Sequence, residues 1–508
     1  LSQTQQQTGP AKPTPEQEKL GRITVWVLAC LVLLAPLPFG SIQGVYWQLV
    51  CGAVLALALA WMWRALLSPA DQPAFPPSVF KVPRATFAPF FVIPAIHLIQ
   101  LIPLPRFLLR LISRGSEGFL AAANSEALFG TISLAPDQTV RALLLSSACA
   151  ACVVLAARGV YKRKQIMALF IVFIVGGVFQ AVYGMTERFT GHDYVMWYAK
   201  HNYLESATGT FINRNHFAAA LELALGAAFG MIVYRIIRSQ DRKTERSWGF
   251  PERVIVLCVA ALMILGGLIA SLSRAGIAAA LIAIICVGVG LGLVRSRRAV
   301  ILATLVLLLG TMGFALWIGN QPLAQRIGDV PEEITEETGR FAVWRDTAKS
   351  YSEFAVFGSG GGTFEQVFMR FRSPQIGWRY DHAHNEFLED RVETGILGVL
   401  ARIVGLFAVF LTVGRLLAMR HSRLARALAT GGLVGCSAVV FHAMFDFPWR
   451  MPAVALQFHI LLGLTISAAS QRIEAESIRV KRRHSRSSHS SRSSHSSHSG
   501  RSSRSGSR

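Results

Sequence analysis

Arg253-VIVLCVAALMILGGLIA-Ser271-LSR-Ala275-GIAAALIAIICVGVGLGLV-Arg295-SRR decides the fold class. Two apolar runs, 253–272 and 275–294, each come near the ~20 residues that cross a bilayer as a helix. They are joined by a turn too short to reach far into water, and that turn carries Arg274. A charge so placed is costly unless it is used or paired. Both far ends of the pair are basic, which marks one side of the membrane.

The same pattern repeats along the chain. Of 508 residues, 52% are hydrophobic, a composition that suits burial in lipid rather than an aqueous globule. About twelve spans are expected, near 23–40, 46–63, 86–104, 139–157, 165–185, 216–237, 253–272, 275–294, 299–318, 395–414, 424–445 and 452–470. Strands of a membrane barrel would be shorter and alternating. The third span, with Pro89, Pro94 and Pro103, is expected to be kinked. The fold class is therefore an all-α polytopic membrane protein with a long, partly helical outer loop.

Orientation follows from the short loops. Arg158, Lys162, Arg163 and Lys164 follow span four, and Arg235 to Arg253 separate spans six and seven. Arg295, Arg297 and Arg298 follow span eight, and Arg415 to Arg426 lie between spans ten and eleven. With alternating spans these loops share a side, which is the cytoplasm, and both termini lie there. The expected organisation is a cytoplasmic segment 1–22, spans one to nine over 23–318, a periplasmic loop 319–394, spans ten to twelve over 395–470, and a tail 471–508. The net charge of +22 is concentrated in the short loops and that tail. The Ser/His/Arg-rich tail has nothing apolar to bury and reads as disordered, either solvated or held on anionic headgroups. All seven cysteines fall inside apolar spans, and Cys149 and Cys152 read as small core residues rather than ligands or a disulfide. No small-residue cleavage site follows the first span, so no cleaved signal peptide is expected.

The outer side receives loops 105–138, 186–215, 319–394 and 446–451, and four polar clusters meet there. One is Asn213-Arg214-Asn215-His216, at the entry to span six. The second is Ser271-Leu272-Ser273-Arg274. The third is Arg340 with Trp344 and Arg345, where Phe341, Trp344, Ala348 and Tyr351 have helical spacing and predict a short amphipathic helix near the membrane surface. The fourth is His382-Ala383-His384-Asn385, just before span ten. Ser359 to Gly362 reads as a permissive turn, either a bend or a cradle whose amides meet an anion.

Arginine and histidine together suit chemistry on a lipid-linked phosphate. A guanidinium stays charged and holds a phosphate in two-pronged fashion. An imidazole titrates near neutrality and accepts a proton from an attacking hydroxyl. Each cluster also has a plainer reading: Arg214 and Arg345 as interfacial anchors, and the histidines as hydrogen-bonded surface groups. The His-x-His pair could also begin a zinc site, with Asp381, Glu386 or Glu389 as further ligands, but no cysteine lies nearby. The run Glu332 to Glu337 reads as a solvated face. Asp446 lies four residues after His442, a spacing that puts both on one helical face. Glu222 and Arg402 fall in or near spans without an evident partner.

These motifs resemble the O-antigen ligase and Wzy-type polymerase superfamily. Its signature is His, then Asn, Ser or Gln, nine residues, Gly, two residues and Gly; here it reads His384-Asn385-(386–394)-Gly395-Ile-Leu-Gly398. SLSRAG at 271–276, GRFAVWRD at 339–346 and FGSGGGTF at 357–364 are similar to the family's other landmarks. The resemblance implies a GT-C-like, metal-independent, inverting glycosyltransferase in the bacterial inner membrane, with its site on the periplasmic face and no cofactor. It implies a donor glycan on undecaprenyl diphosphate and an acceptor hydroxyl on lipid A–core or on another lipid-linked glycan of an O-antigen or exopolysaccharide. His384 matches the family's general base, and Arg274 and Arg340 match its diphosphate-binding arginines. Arg345, His382, Asn385, Arg214 and Trp344 are the further candidates for substrate contact. No nucleic acid is expected as a partner. The rival readings are a transporter or flippase, and a non-enzymatic subunit of a polysaccharide assembly complex. Against the first, the halves show no repeat and the polar candidates gather at the outer edge rather than at the midplane.

Overall fold

A computed structural model describes residues 13–69, 72–76, 82–123, 126–240, 252–290, 339–419 and 422–470. The ninth expected span, the Glu332–Glu337 run, the loop residues before 339 and the basic tail lie outside the described residues.

The chain is helical, as its composition requires. The long helices are α1 (Pro15–Leu34), α2 (Gly44–Leu67), α6 (Pro136–Val154), α7 (Arg163–Phe189), α8 (Arg214–Gln240), α9 (Glu252–Ala270), α10 (Arg274–Gly290), α14 (Gly395–Ala418), α15 (Arg423–His442) and α16 (Pro452–Ser470). The short ones are α3 (Val92–Gln100), α4 (Arg106–Ile112), α5 (Arg114–Ala123), α11 (Arg340–Ala348), α12 (Phe364–Phe371) and α13 (Glu386–Glu393). Two antiparallel ladders of two residues each, Leu104–Pro105 with Phe129–Gly130 and Tyr194–Val195 with Tyr198–Ala199, tie down the loops that carry them.

Among the described residues, eight helices are long and apolar enough to cross a membrane. This is a multi-pass membrane protein. The first helix starts earlier than its apolar run suggests, because Thr14 and Gln17 form a capping box ahead of it. The third span is broken: a 3-10 turn over Ala88–Phe91 carries Pro89, and only nine residues of α-helix follow. The tight turn after α9 is as expected, with α9 ending at Ala270 and α10 opening at Arg274.

Two helices form the centre of the bundle. Every residue of α16 is buried, and α8 is buried along its whole apolar length. A helix that is apolar on all sides belongs inside other helices. By contrast, α2 exposes Leu49, Leu59, Met62, Trp63 and Leu66, the surface expected where lipid replaces water. The closest crossing joins α8 to α15. Gly226 and Gly230 of α8 face Gly431 and Gly435 of α15, and a Cβ on Gly431 would stand 2.4 Å from the Cα of Gly230. Small residues four apart let two backbones touch where no hydrophobic effect pulls helices together. That crossing brings the first turn of α8 beside the end of α15.

The segment 339–394 builds a small core of its own from Val343, Phe354, Phe364, Phe368, Ile376 and Val392. The short helix expected over this stretch is α11. Its buried residues are Ala342, Val343, Asp346 and Thr347, while Phe341 is 43% exposed. The helix packs its small side on α12 and α13 and turns Trp344 toward Phe445 instead. The Ser359–Gly362 turn holds an anion, but the anion is the protein's own. Gly362 and Phe364 donate backbone N–H groups to the Glu393 carboxylate, and Ser359 and Gly360 donate to the carbonyls of Val392 and Glu393.

Candidate active site

The end of α15 and the start of α16 are joined by Ala443 to Met451, and this connection organises the site. Asp446 and Phe447 lie at its middle, both buried. The four-residue spacing from His442 does not put Asp446 on the same helical face, because α15 ends at His442 and the chain turns. Each carboxylate and histidine there takes a separate partner. His442 Nδ1 lies 2.7 Å from Glu222 of α8, inside the bundle. Asp446 turns the other way, accepts a hydrogen bond from the Asn215 side-chain amide, and stands 4.0 Å from the Arg340 guanidinium.

Three histidine rings surround Phe447. His382 stacks on it at 4.0 Å between centroids, and His384 and His216 pack at steep angles at 5.0 Å and 4.8 Å. His384 Nδ1 is 3.8 Å from Asp446 Oδ1, beyond hydrogen-bond length but inside the range of strong attraction. Burial works against ionisation of Asp446, yet His384, His216 and Arg340 around it hold the carboxyl well below the usual carboxylate range. His382 is fixed from behind: its Nδ1 is 2.8 Å from Glu389 Oε1, whose other oxygen accepts the Ala383 N–H. Burial alone would lower the His382 pKa, but the Glu389 carboxylate outweighs it and raises it to about 9.

The backbone at His384 is strained. Its φ is +50°, a left-handed conformation that costs an L-residue about 1–2 kcal/mol. Two neighbours hold it. Trp344 Nε1 donates to the Ala383 carbonyl at 2.8 Å. The Asn385 side chain caps α13 by accepting from Phe387 and Leu388, and its amide donates to the Met444 carbonyl. Leu272, beside Arg274, and Tyr203, under Arg214, also have positive φ. Among the described residues, six non-glycine positions do so, and three adjoin candidate site residues.

The remaining candidates fall as follows. Arg340 opens α11 and also donates to the Phe445 carbonyl at 2.9 Å. Arg214 opens α8 and lies over the Tyr203 ring at 5.0 Å. Arg274 opens α10; Gly276, two residues on, lies against Ala218 and Glu222 of α8. These openings therefore gather at the end of the bundle where Asp446 sits. Arg345 points away, with its side chain 61% exposed and its closest acid Asp346.

Five residues in this region carry more of the arrangement than the sequence indicated. Asp446 and Asn215 join the 443–451 connection to the first turn of α8, 231 residues away in sequence. His216 is 2% exposed, and neither ring nitrogen has a partner among the described residues. Arg450 is ringed by four buried carboxylates of α13, with Glu386, Glu389 and Asp390 at 3.2, 3.4 and 3.1 Å and Glu393 bonded directly. Arg402, unpaired in the sequence reading, bonds Asp390 and covers the Trp449 ring at 4.6 Å. Among the described residues, no group of three or more His, Cys, Asp or Glu side chains is placed to hold a metal ion.

Residues 259–403 match the family profile Wzy_C, described as O-Antigen ligase. The chain carries an O-antigen ligase domain of the Wzy superfamily. No curated protein matches the chain. The matched segment runs from α9 into α14 and so contains Arg274, Arg340, Trp344, Arg345, His382, His384 and Asn385. Asp446, Asn215, His216 and Arg450, which pack with these residues in space, lie outside it.

Proposed function

We propose that this protein is a glycosyltransferase of the bacterial inner membrane that moves a glycan from undecaprenyl diphosphate to a sugar hydroxyl at the periplasmic face. The observation that carries the reading is the His384–Asp446 pair beside Arg340, with His384 inside the O-antigen ligase segment. Asp446 faces Nδ1 of His384, which leaves Nε2 for the acceptor. The acceptor O–H gives its proton to Nε2, and its oxygen attacks the anomeric carbon from the side opposite the diphosphate. The bond from that carbon to the diphosphate oxygen breaks in the same displacement, which inverts the anomeric centre. Asp446 stabilises the imidazolium that results, as an ionised neighbour does for any cationic imidazole. Arg274 and Arg340 meet the charge that grows on the leaving diphosphate, with Arg214 near the same bundle end. In this mechanism the guanidiniums do the work of a divalent ion.

Trp344 and Asn385 act on the backbone of His384 rather than on substrate, since their polar atoms are spent on the Ala383 and Met444 carbonyls and the α13 cap. The test is complementation of a strain lacking this gene by wild type and by His384→Ala, followed by gels of surface and lipid-linked glycan. Full-length glycan with wild type alone, and donor accumulation with the variant, is the expected result. Unattached long chains would identify a ligase, and single repeat units a polymerase. Full complementation by His384→Ala would refute the reading.

A further inference from the structure

A cavity of about 320 Å³ lies between α2, the Ala88–Gln100 segment, α6, α13, α14 and α16. This is within the size range of small-ligand sites. His382 lines it, but His384, Asp446, Arg340, Arg274 and Arg214 do not. His382 is thus the link between cavity and proposed base, because both its ring and that of His384 pack on Phe447.

The cavity has two kinds of wall. Toward the bundle it is apolar, with Trp47, Phe90, Ile93, Leu406 and Phe458. Toward His382 it is polar and charged. Asp381 and the four α13 carboxyls face Arg141, Arg402, Arg450 and the His382 imidazole, and burial pushes Glu386 up to about 7 and raises Glu393 too, so acid and base come close to balance. Arg402 and Arg450 are already spent on the α13 carboxylates. A diphosphate entering here would find no surplus of positive charge to hold it. The Arg340 guanidinium stands instead beside Asp446, and Arg214 and Arg274 open helices at the same end of the bundle. A sugar fits the cavity's lining better. Its hydroxyls both donate and accept, which suits Gln138, Arg141, Asp381 and His382 at the polar end, and a lipid anchor suits the apolar walls.

We propose that this cavity receives the saccharide end of the acceptor, a hydroxyl-bearing glycan on a membrane anchor, while the donor diphosphate stays with the guanidiniums. The inference rests on the transferase reading above and divides its two substrates between two compartments that meet at Phe447. His382, which lines the cavity and is held by Glu389, becomes a positioning residue for the acceptor.

Occupancy can be read without transfer. Ser146 lines the cavity on α6, and Ser146→Cys changes one atom. The purified full chain in nanodiscs is alkylated with a maleimide, and modification at position 146 is followed by peptide mass spectrometry. Two probes compete: n-hexyl β-glucoside, with a neutral sugar head, and farnesyl diphosphate. Val404→Cys, on the 51% exposed face of α14, reports partition into lipid alone. The glucoside, at roughly ten times its apparent Kd, is expected to slow modification at 146 about tenfold. It should leave position 404 unchanged, and farnesyl diphosphate should not protect 146. Protection by farnesyl diphosphate would assign the cavity to the donor and overturn the proposal. So would protection by neither probe, or equal slowing at 146 and 404. Ala142→Cys, on the same wall, serves as a second reporter should Ser146→Cys fail to fold. Failure here with loss of glycan in His384→Ala would leave the transferase reading standing and remove only the acceptor site.

Discussion

Raising the pH should loosen α13 before the rest of the 339–394 segment. The perturbation is loss of the His382 proton. In the folded chain Glu389 raises the His382 pKa to about 9, against about 6.5 in an unfolded segment. The shift is upward, so the stabilisation is fully present below pH 6.5 and is lost as pH rises through 9. The difference corresponds to about 3 kcal/mol, or roughly two orders of magnitude in a local opening equilibrium. Glu389 is lowered by the same contact, so that interaction is counted once. Hydrogen exchange of the wild-type chain in nanodiscs reads this directly. After correction for base catalysis of exchange, amides of Phe387 to Glu393 should lose about a hundredfold in protection between pH 6 and pH 10. A His382→Gln variant should already be weakly protected at pH 6 and change little with pH. An unchanged wild-type profile, or the same fall in His382→Gln, would refute the assignment of His382 and Glu389 as the coupled pair.

Other outcomes follow from contacts already described. Arg450→Ala leaves four buried carboxylates without their shared partner, and breaking a buried pair costs about 3–5 kcal/mol. Limited proteolysis should then cut within 339–394, and Arg450→Lys should rescue poorly because a point charge cannot span the same oxygens. Gly431→Ala forces the α8 and α15 backbones apart and should lower stability by about 1–3 kcal/mol, read as a drop in thermal midpoint. Gly414→Ala, with nothing within 4 Å of the added Cβ, should leave the midpoint unchanged or raised. Asp446→Asn should cut transfer far more than it cuts stability, and normal transfer by that variant would remove Asp446 from the mechanism. Trp344→Phe loses one hydrogen bond, worth about 1 kcal/mol, and should slow transfer while the thermal midpoint barely moves.

The sequence alone determined a polytopic helical membrane protein, because crossing a bilayer demands length and apolarity that any window of the chain displays. It also singled out His384 and Arg274 as candidates, because a strict local spacing and an awkwardly placed charge show in the sequence itself. The 319–394 loop was expected to hold structure of its own, and its described part, 339–394, does; the spacing of Phe341, Trp344, Ala348 and Tyr351 announced α11 but did not say that Ala342, Val343, Asp346 and Thr347 are the side it packs inward. The glycines at 226, 230, 431 and 435 were in plain view, but nothing local says that they face one another. Only the tertiary structure placed Asp446 against His384 and Asn215, Glu222 against His442, and Arg450 among the acids of α13. Those pairings join residues tens to hundreds of positions apart. Hydropathy and motif spacing are properties of neighbours along the chain, whereas a charge partner is chosen by which helix ends the packing of α8, α15 and α16 brings together.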